Sequence, residues 1–374
     1  LFLIQLTFYL IDFRRPYRRL KKKRGKPDDE LLDSELPPVS IIIYVKNESE
    51  NLSENLPLIL NQHYPEFEVI VVNDGSTDES EQVLKNFELK YANLYHTFIP
   101  EEARYLSRKK LAMTVGIKAA KYDRLLFTEV NCRPASNEWI ASVMKSYHAN
   151  TEIVIGYSTY ESSKGLFHQL AGYDTIMSNL RMMSSALCNR PFMAYGSNLS
   201  YFKSLFFGNK GYSQSLNLHA GEDDLFVNET ADSQNTEVLL EPEGATVIMP
   251  YSRFKVWKEM KVSRAATRGF YRGGQTFYYR LEVLTRFLFW VAALFTAIYG
   301  FIHEQWLLGG GAVLFILIRW LAASLVLKKF STAFGQKFNV WTLPFMEIYL
   351  PIFELYIQVY RVFRGKNDFT FRFG

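Results

Sequence analysis

The chain has 374 residues, enough for one α/β domain of usual size and additional helices. Its residues are 48% hydrophobic and 16% aromatic, which is rich for a soluble protein, and the apolar residues concentrate toward both ends. The net charge of +5 comes largely from one run near the N-terminus and argues against a nucleic-acid-binding protein. Two cysteines, Cys132 and Cys188, offer no disulfide framework and indicate a reducing compartment.

The N-terminal segment combines an apolar stretch with a cluster of cations. Residues 1–13 are apolar but too short to span a bilayer alone. Residues 14–24 then carry eight arginines and lysines, the pattern of the positive-inside rule. We expect residues 1–24 to be the remnant of a membrane helix with a basic collar, although a solvated basic helix or a nucleic-acid patch gives the same pattern. Residues 28–38 then form a predicted linker to a cytoplasmic domain.

Two apolar, β-branched runs predict neighbouring buried strands. Val39–Val45 is followed by a helical pattern and then by a second run, which ends at Asn73-Asp74-Gly75-Ser76. Strand, helix and strand form one βαβ unit, in which both strands are parallel and covered on both faces. Because the carboxyl ends of such strands meet at one sheet edge, Asn47, Glu48 and Asp74 are predicted to lie together at a ligand site.

The segments IIIYVKNESENL and VIVVNDGSTD together resemble the opening of the family 2 glycosyltransferases. The resemblance covers residues 39–270. It implies an α/β fold of GT-A type, which is Rossmann-like with a mainly parallel sheet flanked by helices. It also implies that the donor is a nucleoside diphosphate sugar and that Asn47, Glu48 and Asp74 bind its nucleotide.

A basic helix is predicted over residues 105–120. In the family, a basic residue near this point lies beside the donor pyrophosphate. The resemblance therefore makes Lys109 or Lys110 a candidate for neutralising phosphate charge. A solvated helix face explains the same residues, and both interpretations stay open.

The segment Glu129-Val-Asn131-Cys-Arg-Pro134 follows an apolar strand and resembles the DxD element of the family. Alternate residues of an extended chain point the same way, so two acids there can hold one Mg²⁺ or Mn²⁺ that bridges the donor diphosphate. Here Glu129 supplies a carboxylate and Asn131 a neutral carbonyl oxygen. With one formal charge lost, we expect weaker binding of Mg²⁺ or Mn²⁺.

A second group of motifs lies beyond predicted helices over residues 138–148 and 167–183 and a strand over 153–157. Gly196 and Asn198 resemble the glycine-asparagine loop of the family, and Gly221-Glu222-Asp223 resembles its acidic GED motif; the resemblance puts Gly196, Asn198 and Glu222 on the acceptor side.

Successive carboxylates at 222–224 repel one another unless a proton, a metal or a donor group is near, although a helix N-terminus also favours them. By motif position, Asp223 is the expected general base that takes the acceptor hydroxyl proton in an inverting transfer, with Asp224 as the fallback. His219 is either a further contact to metal or phosphate or a structural residue.

After a late strand pair over residues 237–249, the basic helix 254–268 occupies the position of the family's QxxRW motif. The Gln and the Trp of that motif are absent. Arg264 and Arg268 remain as candidate phosphate partners, with a membrane-surface face as the equal alternative.

The C-terminal residues 281–363 are predicted to be membrane helices. Residues 287–302 and 307–327 are each about one bilayer long and form a predicted hairpin, within which Arg319 needs a partner. Residues 342–363 are apolar but contain two prolines and two glutamates, which favours an interfacial or re-entrant segment.

These features favour a multi-pass protein of the cytoplasmic (inner) membrane with its catalytic domain in the cytoplasm. Its expected partners are a nucleotide sugar donor, a lipid-linked or glycan acceptor and membrane lipids, and not nucleic acid. The altered DxD and QxxRW motifs leave a second hypothesis, a catalytically silent scaffold in a membrane complex. A sugar-phosphate nucleotidyltransferase is disfavoured because residues 45–52 contain no glycine.

Overall fold

A computed structural model describes residues 1–25, 36–99 and 107–364 of the chain. The strands of these residues are β1 Val39–Val45, β2 Phe67–Asn73, β3 Leu94–Phe98, β4 Arg124–Glu129, β5 Cys132–Pro134, β6 Ile153–Ile155, β7 Ser158–Tyr160, β8 Leu199–Phe202, β9 Thr236–Val238 and β10 Thr246–Ile248.

The α-helices are α1 Phe2–Thr7, α2 Arg15–Lys23, α3 Ser49–Leu60, α4 Ser80–Glu88, α5 Arg108–Ala119, α6 Trp139–Met144, α7 Leu166–Ala186, α8 Lys203–Gly208, α9 Asp224–Thr230, α10 Phe254–Thr267, α11 Gln275–Ile302, α12 Trp306–Ala333 and α13 Leu343–Arg364. A π-helical turn, Phe8–Asp12, follows α1, and short 3-10 turns cover Ser213–Ser215, Pro242–Gly244, Arg268–Phe270 and Val340–Thr342.

A seven-stranded sheet in the order β3-β2-β1-β4-β8-β6-β9 forms the centre of the domain. β1 pairs in parallel with β2 on one side and with β4 on the other, so Val45 lies beside Asn73 and Tyr44 beside Glu129. This register brings the carboxyl ends of three strands to one edge, as the apolar runs predicted. The predicted mainly parallel sheet is confirmed, with β8 antiparallel to both β4 and β6.

A second, three-stranded sheet has the order β5-β10-β7. Both strands predicted over residues 237–249 are present as β9 and β10, but they do not pair with each other, because β9 pairs with β6 in the large sheet and β10 pairs with β5 and β7 in the small one. The turn Pro242–Gly244 between them is a 3-10 helix and not a hairpin loop. It carries the chain from one sheet to the other.

Several predicted helices have different lengths in the structure. α6 ends at Met144, before the predicted end at residue 148, but its Trp139 is fully buried as expected. α7 continues to Ala186. The start predicted for α5, and most of the predicted linker, lie outside the described residues.

Three helices of the described residues have the length and composition to cross a membrane: α11, α12 and residues Val340–Arg364. α11 begins at Gln275, earlier than predicted from its apolar residues. The N-terminal part of the helix includes polar residues that pack against the protein, and of these Glu282 and Arg286 are fully buried. The partner expected for Arg319 is Glu347 of α13, with Nη1 and Oε2 2.5 Å apart.

The helix α13 packs along α10 of the globular domain. The Trp257 and Phe353 rings stack with centroids 4.9 Å apart, and Lys261 Nζ lies 3.5 Å from a Glu354 carboxylate oxygen. α13 is long enough to span a bilayer yet keeps its polar residues against protein. The interfacial placement of residues 342–363 stays a prediction.

Candidate active site

A cleft with a cavity volume of about 220 Å³ opens at the sheet edge where β1 and β4 end. Seven of the residues predicted from the sequence line it, and they come from five separate stretches of chain: Glu48, Lys109, Glu129, Asn131, Gly196, Glu222 and Asp223. The acids of three distant motifs therefore meet in one place.

Lys109 is the central cation of the cleft. Its Nζ lies 2.6 Å from Glu222 Oε1 and 3.5 Å from Glu129 Oε1. Burial opposes its charge, but the carboxylates of Glu222, Glu129 and Asp223 outweigh burial and raise the pKa of Lys109. Burial likewise disfavours ionised Glu222, yet the Lys109 ammonium keeps the pKa of Glu222 below its ordinary value.

Asp223 is held by two backbone N–H groups. Gly196 N donates to its Oδ2 at 2.6 Å, and Asp224 N donates to its Oδ1 at 2.7 Å. A Cβ at Gly196 would lie only 3.4 Å from that same Oδ2, so the glycine permits the close approach. Burial and the carboxylates of Glu222 and Asp224 raise the pKa of Asp223 to about 7. Asp223 can therefore take up a proton near neutral pH.

One oxygen in the cleft has no partner. Glu222 is buried, and among the described residues its Oε2 accepts no hydrogen bond, while its Oε1 is paired with Lys109. A buried carboxylate oxygen left unsatisfied is costly unless a ligand completes its contacts.

Asp74 lies one layer behind the cleft and is almost fully buried, with 1% of its surface exposed. Tyr44 donates its hydroxyl to Asp74 Oδ2 at 2.7 Å, Lys46 Nζ lies 3.2 Å from the same oxygen, and the Arg108 guanidinium contacts Oδ1. Asp74 thus positions Tyr44 and Lys46, which do line the cleft. Sequence reasoning missed both, although each lies within three residues of Asn47.

Asn47 and Glu48 have different positions at the end of β1. Asn47 has a φ of 53°, and its Oδ1 accepts from Thr77 N at 2.8 Å, so it ties the β1 end to the loop after β2. Glu48 lines the cleft and accepts from Asn51 Nδ2 at 2.6 Å. Its partial burial raises its pKa. Only Glu48 of this pair reaches the ligand space.

The choice between Lys109 and Lys110 is resolved by the register of α5. Successive helical residues point about 100° apart, and Lys110 points into the protein. Its Nζ donates to Ser215 Oγ at 3.0 Å and to the Leu218 carbonyl at 3.2 Å. Burial lowers the pKa of Lys110 to about 8. Its contacts fix the 215–218 segment, so Lys110 does not have the position expected of a phosphate ligand.

Asp224, the fallback base, also faces the protein. It accepts from Thr267 Oγ1 at 2.5 Å, from Tyr271 Oη at 2.6 Å and from Leu225 N at 2.8 Å. These contacts join the start of α9 to the end of α10. Its satisfied carboxylate lies outside the cleft lining, which leaves Asp223 as the candidate base.

Asn198 has a structural position. Its Oδ1 accepts from Trp139 Nε1 at 3.1 Å, and its Nδ2 donates to the carbonyls of Tyr157 and Gly244, both at 2.9 Å. With 1% of its surface exposed, Asn198 is buried and connects four chain segments. Its acceptor-side role stays a prediction.

Two further predicted residues lie outside the cleft lining. His219 is exposed, and its backbone carbonyl accepts from Ser107 Oγ at 2.6 Å. Arg264 lies with its guanidinium carbon 4.0 Å from the centroid of the Tyr195 ring. Arg264 is nevertheless within electrostatic reach of Glu129 and Asp223, which contribute to raising its pKa against the effect of burial.

The cleft offers a partial coordination set for a divalent cation. Within the described residues, no group of three or more His, Cys, Asp or Glu side chains is arranged for a metal ion. Glu129 and Asn131 do share the strand-end wall of the cleft and supply one carboxylate and one amide oxygen. Such a set fits Mg²⁺ or Mn²⁺ held jointly with phosphate oxygens, because Mg²⁺ commonly takes only one or two protein carboxylates.

Comparison with known proteins identifies the domain. Residues 40–206 match the family model described as glycosyl transferase family 2. The match shows a domain of this family over residues 40–206, and the chain spans about a third or less of the length of the two relatives compared next. It is 33% identical to glycosyltransferase AglE of Haloferax volcanii over 29% of this chain and 35% of that protein. It is 26% identical to a poly-beta-1,6-N-acetyl-D-glucosamine synthase of Staphylococcus epidermidis, over 32% of this chain and 26% of that protein.

A solved structure matches almost the whole chain. It is a mannosyltransferase, PcManGT from Pyrobaculum calidifontis, in complex with GDP-Man and Mn²⁺. The match has a TM-score of 0.56 and 15% identity, and it covers 97% of this chain and 99% of that chain. This likeness shows the GT-A fold of the chain.

The structural position of Asn198 predicts that Asn198→Ala destabilises the fold. The change leaves the buried Trp139 N–H and the Gly244 carbonyl without partners and leaves the Tyr157 carbonyl with Thr246 N alone, which should lower the free energy of unfolding by about 3 kcal/mol. Denaturant unfolding of the purified protein measures this loss. Asn209→Ala is the matched control, because the Asn209 amide is exposed and donates only to the Leu205 carbonyl. Equal stability of the two variants would contradict the assignment.

Proposed function

We propose that this family 2 glycosyltransferase transfers a sugar from a nucleoside diphosphate donor to an acceptor hydroxyl, with inversion at the anomeric carbon. The observation that carries the proposal is the common cleft, in which Asp223 shares one ligand space with Glu129 and Asn131. An aspartate whose pKa is raised to about 7 is suited to general base catalysis at neutral pH.

The donor lies along the sheet edge in this proposal. Glu48 and the Tyr44–Lys46 end of β1 contact the nucleotide, with Asp74 and Asn47 supporting them from behind. Lys109 offers its ammonium group to the diphosphate, which competes with Glu222 and Glu129 for that cation. Arg264 adds positive potential at longer range. Charge stabilisation of the leaving diphosphate is the largest contribution expected to rate.

The chemical step needs one base. The acceptor oxygen attacks the anomeric carbon, its proton passes to an Asp223 carboxylate oxygen, and the bond between the anomeric carbon and the diphosphate oxygen breaks. The nucleoside diphosphate leaves with the bonding electrons. The Gly196 and Asp224 N–H groups hold the carboxylate in place.

Glu129 and Asn131 are the residues that would hold Mg²⁺ or Mn²⁺ with the donor. A bound divalent cation neutralises negative charge on the diphosphate. The unpartnered Glu222 Oε2 is also available in the same cleft.

The membrane setting in this proposal is supported by the helices at the two ends of the chain. The candidate spans α11 and α12, and the cationic helix α2, favour a multi-pass inner-membrane protein whose catalytic domain faces the cytoplasm. A cleft beside membrane helices favours a lipid-linked or growing glycan acceptor. One contact favours the silent-scaffold hypothesis: Lys109 is already paired with Glu129 and Glu222, which compete with a donor diphosphate for its charge.

The direct test is Asp223→Asn. A panel of nucleotide sugars is incubated with the full chain in membranes, and products are identified by mass spectrometry. The variant should lose at least about a hundredfold in transfer, in line with the contribution of a general base, while donor binding changes little. Asp232→Asn, at an exposed turn, is the control and should transfer like the native protein. Unaltered turnover in Asp223→Asn would remove Asp223 from the base role, and no transfer by the native protein with any donor would favour the scaffold.

The pH dependence of transfer gives a second test. Asp223 must be deprotonated to act, so kcat/KM should fall as the pH drops through about 7. Glu222→Gln removes the adjacent negative charge and should lower the pKa of Asp223, moving this acidic limb to lower pH. Glu54→Gln, on the exposed face of α3, should leave the profile in place. A profile that is unmoved by Glu222→Gln would contradict the coupling of the two carboxylates.

Metal dependence of nucleotide binding is the third test. Thermal unfolding is followed with UDP or GDP, in the presence of Mn²⁺ or EDTA. Mn²⁺ should raise the midpoint further only when a nucleotide is present, and Glu129→Gln should remove most of this added shift. Glu54→Gln again serves as the control. A shift that is equal in Mn²⁺ and EDTA for the native protein would overturn the role given to Glu129 and Asn131.

A further inference from the structure

A second cavity, of about 640 Å³, lies between the globular domain and the candidate membrane helices. Its walls come from α7, α10, α11 and α13. Its volume is within the range of ligand pockets and about three times that of the active cleft. The residues given to donor binding and base catalysis in the proposed function do not line it, whereas Arg268, a candidate phosphate partner from the sequence, does.

The outer wall of this cavity is apolar and exposed. Leu284 of α11 is 53% exposed, and Ile352 and Leu355 of α13 are 49% and 65% exposed. These residues belong to helices that have the length and composition of membrane spans. Apolar side chains in that position are suited to contact with lipid chains.

The inner wall is cationic. Five cationic side chains line the cavity and only one carboxylate, Glu354, lines it with them: Arg181, Lys261, Arg268, Arg280 and Arg361. Arg181 and Lys261 are paired with Glu282 and Asp174, at 2.8 and 2.7 Å. Two cations are thereby neutralised by the protein itself.

Among the described residues, no carboxylate lies within 4 Å of the other guanidinium groups, although Glu354 favours the charged form of Arg268 from a longer distance. Arg361 donates to the Ala265 carbonyl at 2.7 Å. Arg268 and Arg280 make neither a hydrogen bond nor an ion pair within 4 Å to any part of the chain that the structure describes. Guanidinium groups at a protein–lipid boundary are costly without an anion, and their fork geometry matches phosphate oxygens.

Along α11, the residues that line the cavity change from polar to apolar. Thr276, Arg280, Leu284 and Phe287 are spaced three or four residues apart, share one helix face and line the cavity in that order. The Thr276 hydroxyl is a buried polar group with no hydrogen-bond partner among the described residues. A ligand with an anionic, hydrogen-bonding head and an apolar tail matches this gradient.

We propose that this cavity binds a lipid through a phosphate in its headgroup, with Arg268 and Arg280 on the phosphate and the apolar chain along Leu284, Ile352 and Leu355. A soluble anion would leave the exposed apolar wall unused, and a neutral lipid would leave both guanidinium groups unpaired. The charge and the shape together favour the phosphate-bearing lipid.

The position of the cavity makes this lipid the acceptor. Phe192 and Met193 line the cavity and Gly196 lines the active cleft, so the segment 192–196 separates the two spaces. Tyr271, also in the cavity wall, donates to Asp224, whose N–H donates to Asp223. This acceptor assignment rests on the proposed function. Because Asp223 acts on a hydroxyl, the attacking oxygen belongs to a sugar or polyol carried beyond the phosphate.

Binding is tested without any donor. The full chain in neutral detergent is titrated with dodecyl phosphate. Arg268→Gln and Arg280→Gln should each weaken binding about tenfold, the loss typical of one charge-assisted contact. In the part of the chain that the structure describes, neither guanidinium group makes a hydrogen bond or an ion pair within 4 Å, so thermal unfolding should change little. Thr276→Val, which keeps volume and charge, should weaken binding by about threefold for the loss of one neutral hydrogen bond.

Controls separate the possible ligands. Arg253→Gln, an exposed arginine at the start of α10 outside the cavity, should bind within about twofold of the native protein. Displacement of dodecyl phosphate by equal concentrations of inorganic phosphate would indicate a soluble-anion site and overturn the proposal. Equal displacement by dodecanol, or native-like binding in both arginine variants, would overturn it as well.

The acceptor role has its own readout. Dodecyl phosphate should inhibit transfer competitively with the lipid acceptor and not with the donor, and Arg280→Gln should raise the acceptor KM with no change in the donor KM. Non-competitive inhibition would overturn the acceptor assignment. If the native protein binds dodecyl phosphate as expected but transfers no sugar, the proposed function fails while the lipid site stands.

Discussion

The contact between Lys109 and Glu222 is the interaction on which the candidate site depends. Ionising both Glu222 and Asp223 is energetically unfavourable, because the two buried carboxylates are adjacent and repel each other. The Lys109 ammonium group lies 2.6 Å from Glu222 and therefore favours ionisation of Glu222 over Asp223. Glu222 stays ionised, and Asp223 is left with a pKa of about 7. The Lys109 ammonium group also lies close to Glu129, in the motif that resembles DxD. Lys109 therefore couples the predicted metal ligand Glu129 electrostatically to the predicted base Asp223.

The acidic residues fall into two groups, which differ in how many protein donors contact their carboxylate oxygens. Asp74 and Asp224 have their oxygens occupied by protein donors, and they hold other residues in position. Glu222 and Asp223 retain exposure to the cleft, and one Glu222 oxygen has no partner in the described chain. Residues of the same type in neighbouring positions thus have different capacities for chemistry, because the number of donors around each carboxylate differs.

The two cavities give the molecule a polarity that matches a membrane-bound glycosyltransferase. The cleft at the sheet edge is lined by acids and two lysines, whereas the cavity beside α11 and α13 is lined by arginines and apolar side chains. Phe192 and Met193 line the second cavity and Gly196 lines the cleft, so the segment 192–196 borders both spaces. In the proposed function, the donor occupies the cleft and the lipid acceptor occupies the second cavity.

The sequence by itself determined the βαβ unit and the need of Arg319 for a partner, because apolar periodicity and a charge within an apolar helix are local signals, and the resemblance of its motifs to a known family implied the GT-A fold. It could not choose between Lys109 and Lys110 or between Asp223 and Asp224. Adjacent residues on a helix or at its start differ only in direction, and the packed neighbours set that direction: Ser215 for Lys110, Tyr271 for Asp224. The separation of β9 from β10 and the arginine-lined cavity were likewise decided by tertiary structure alone, since each joins segments far apart in the chain.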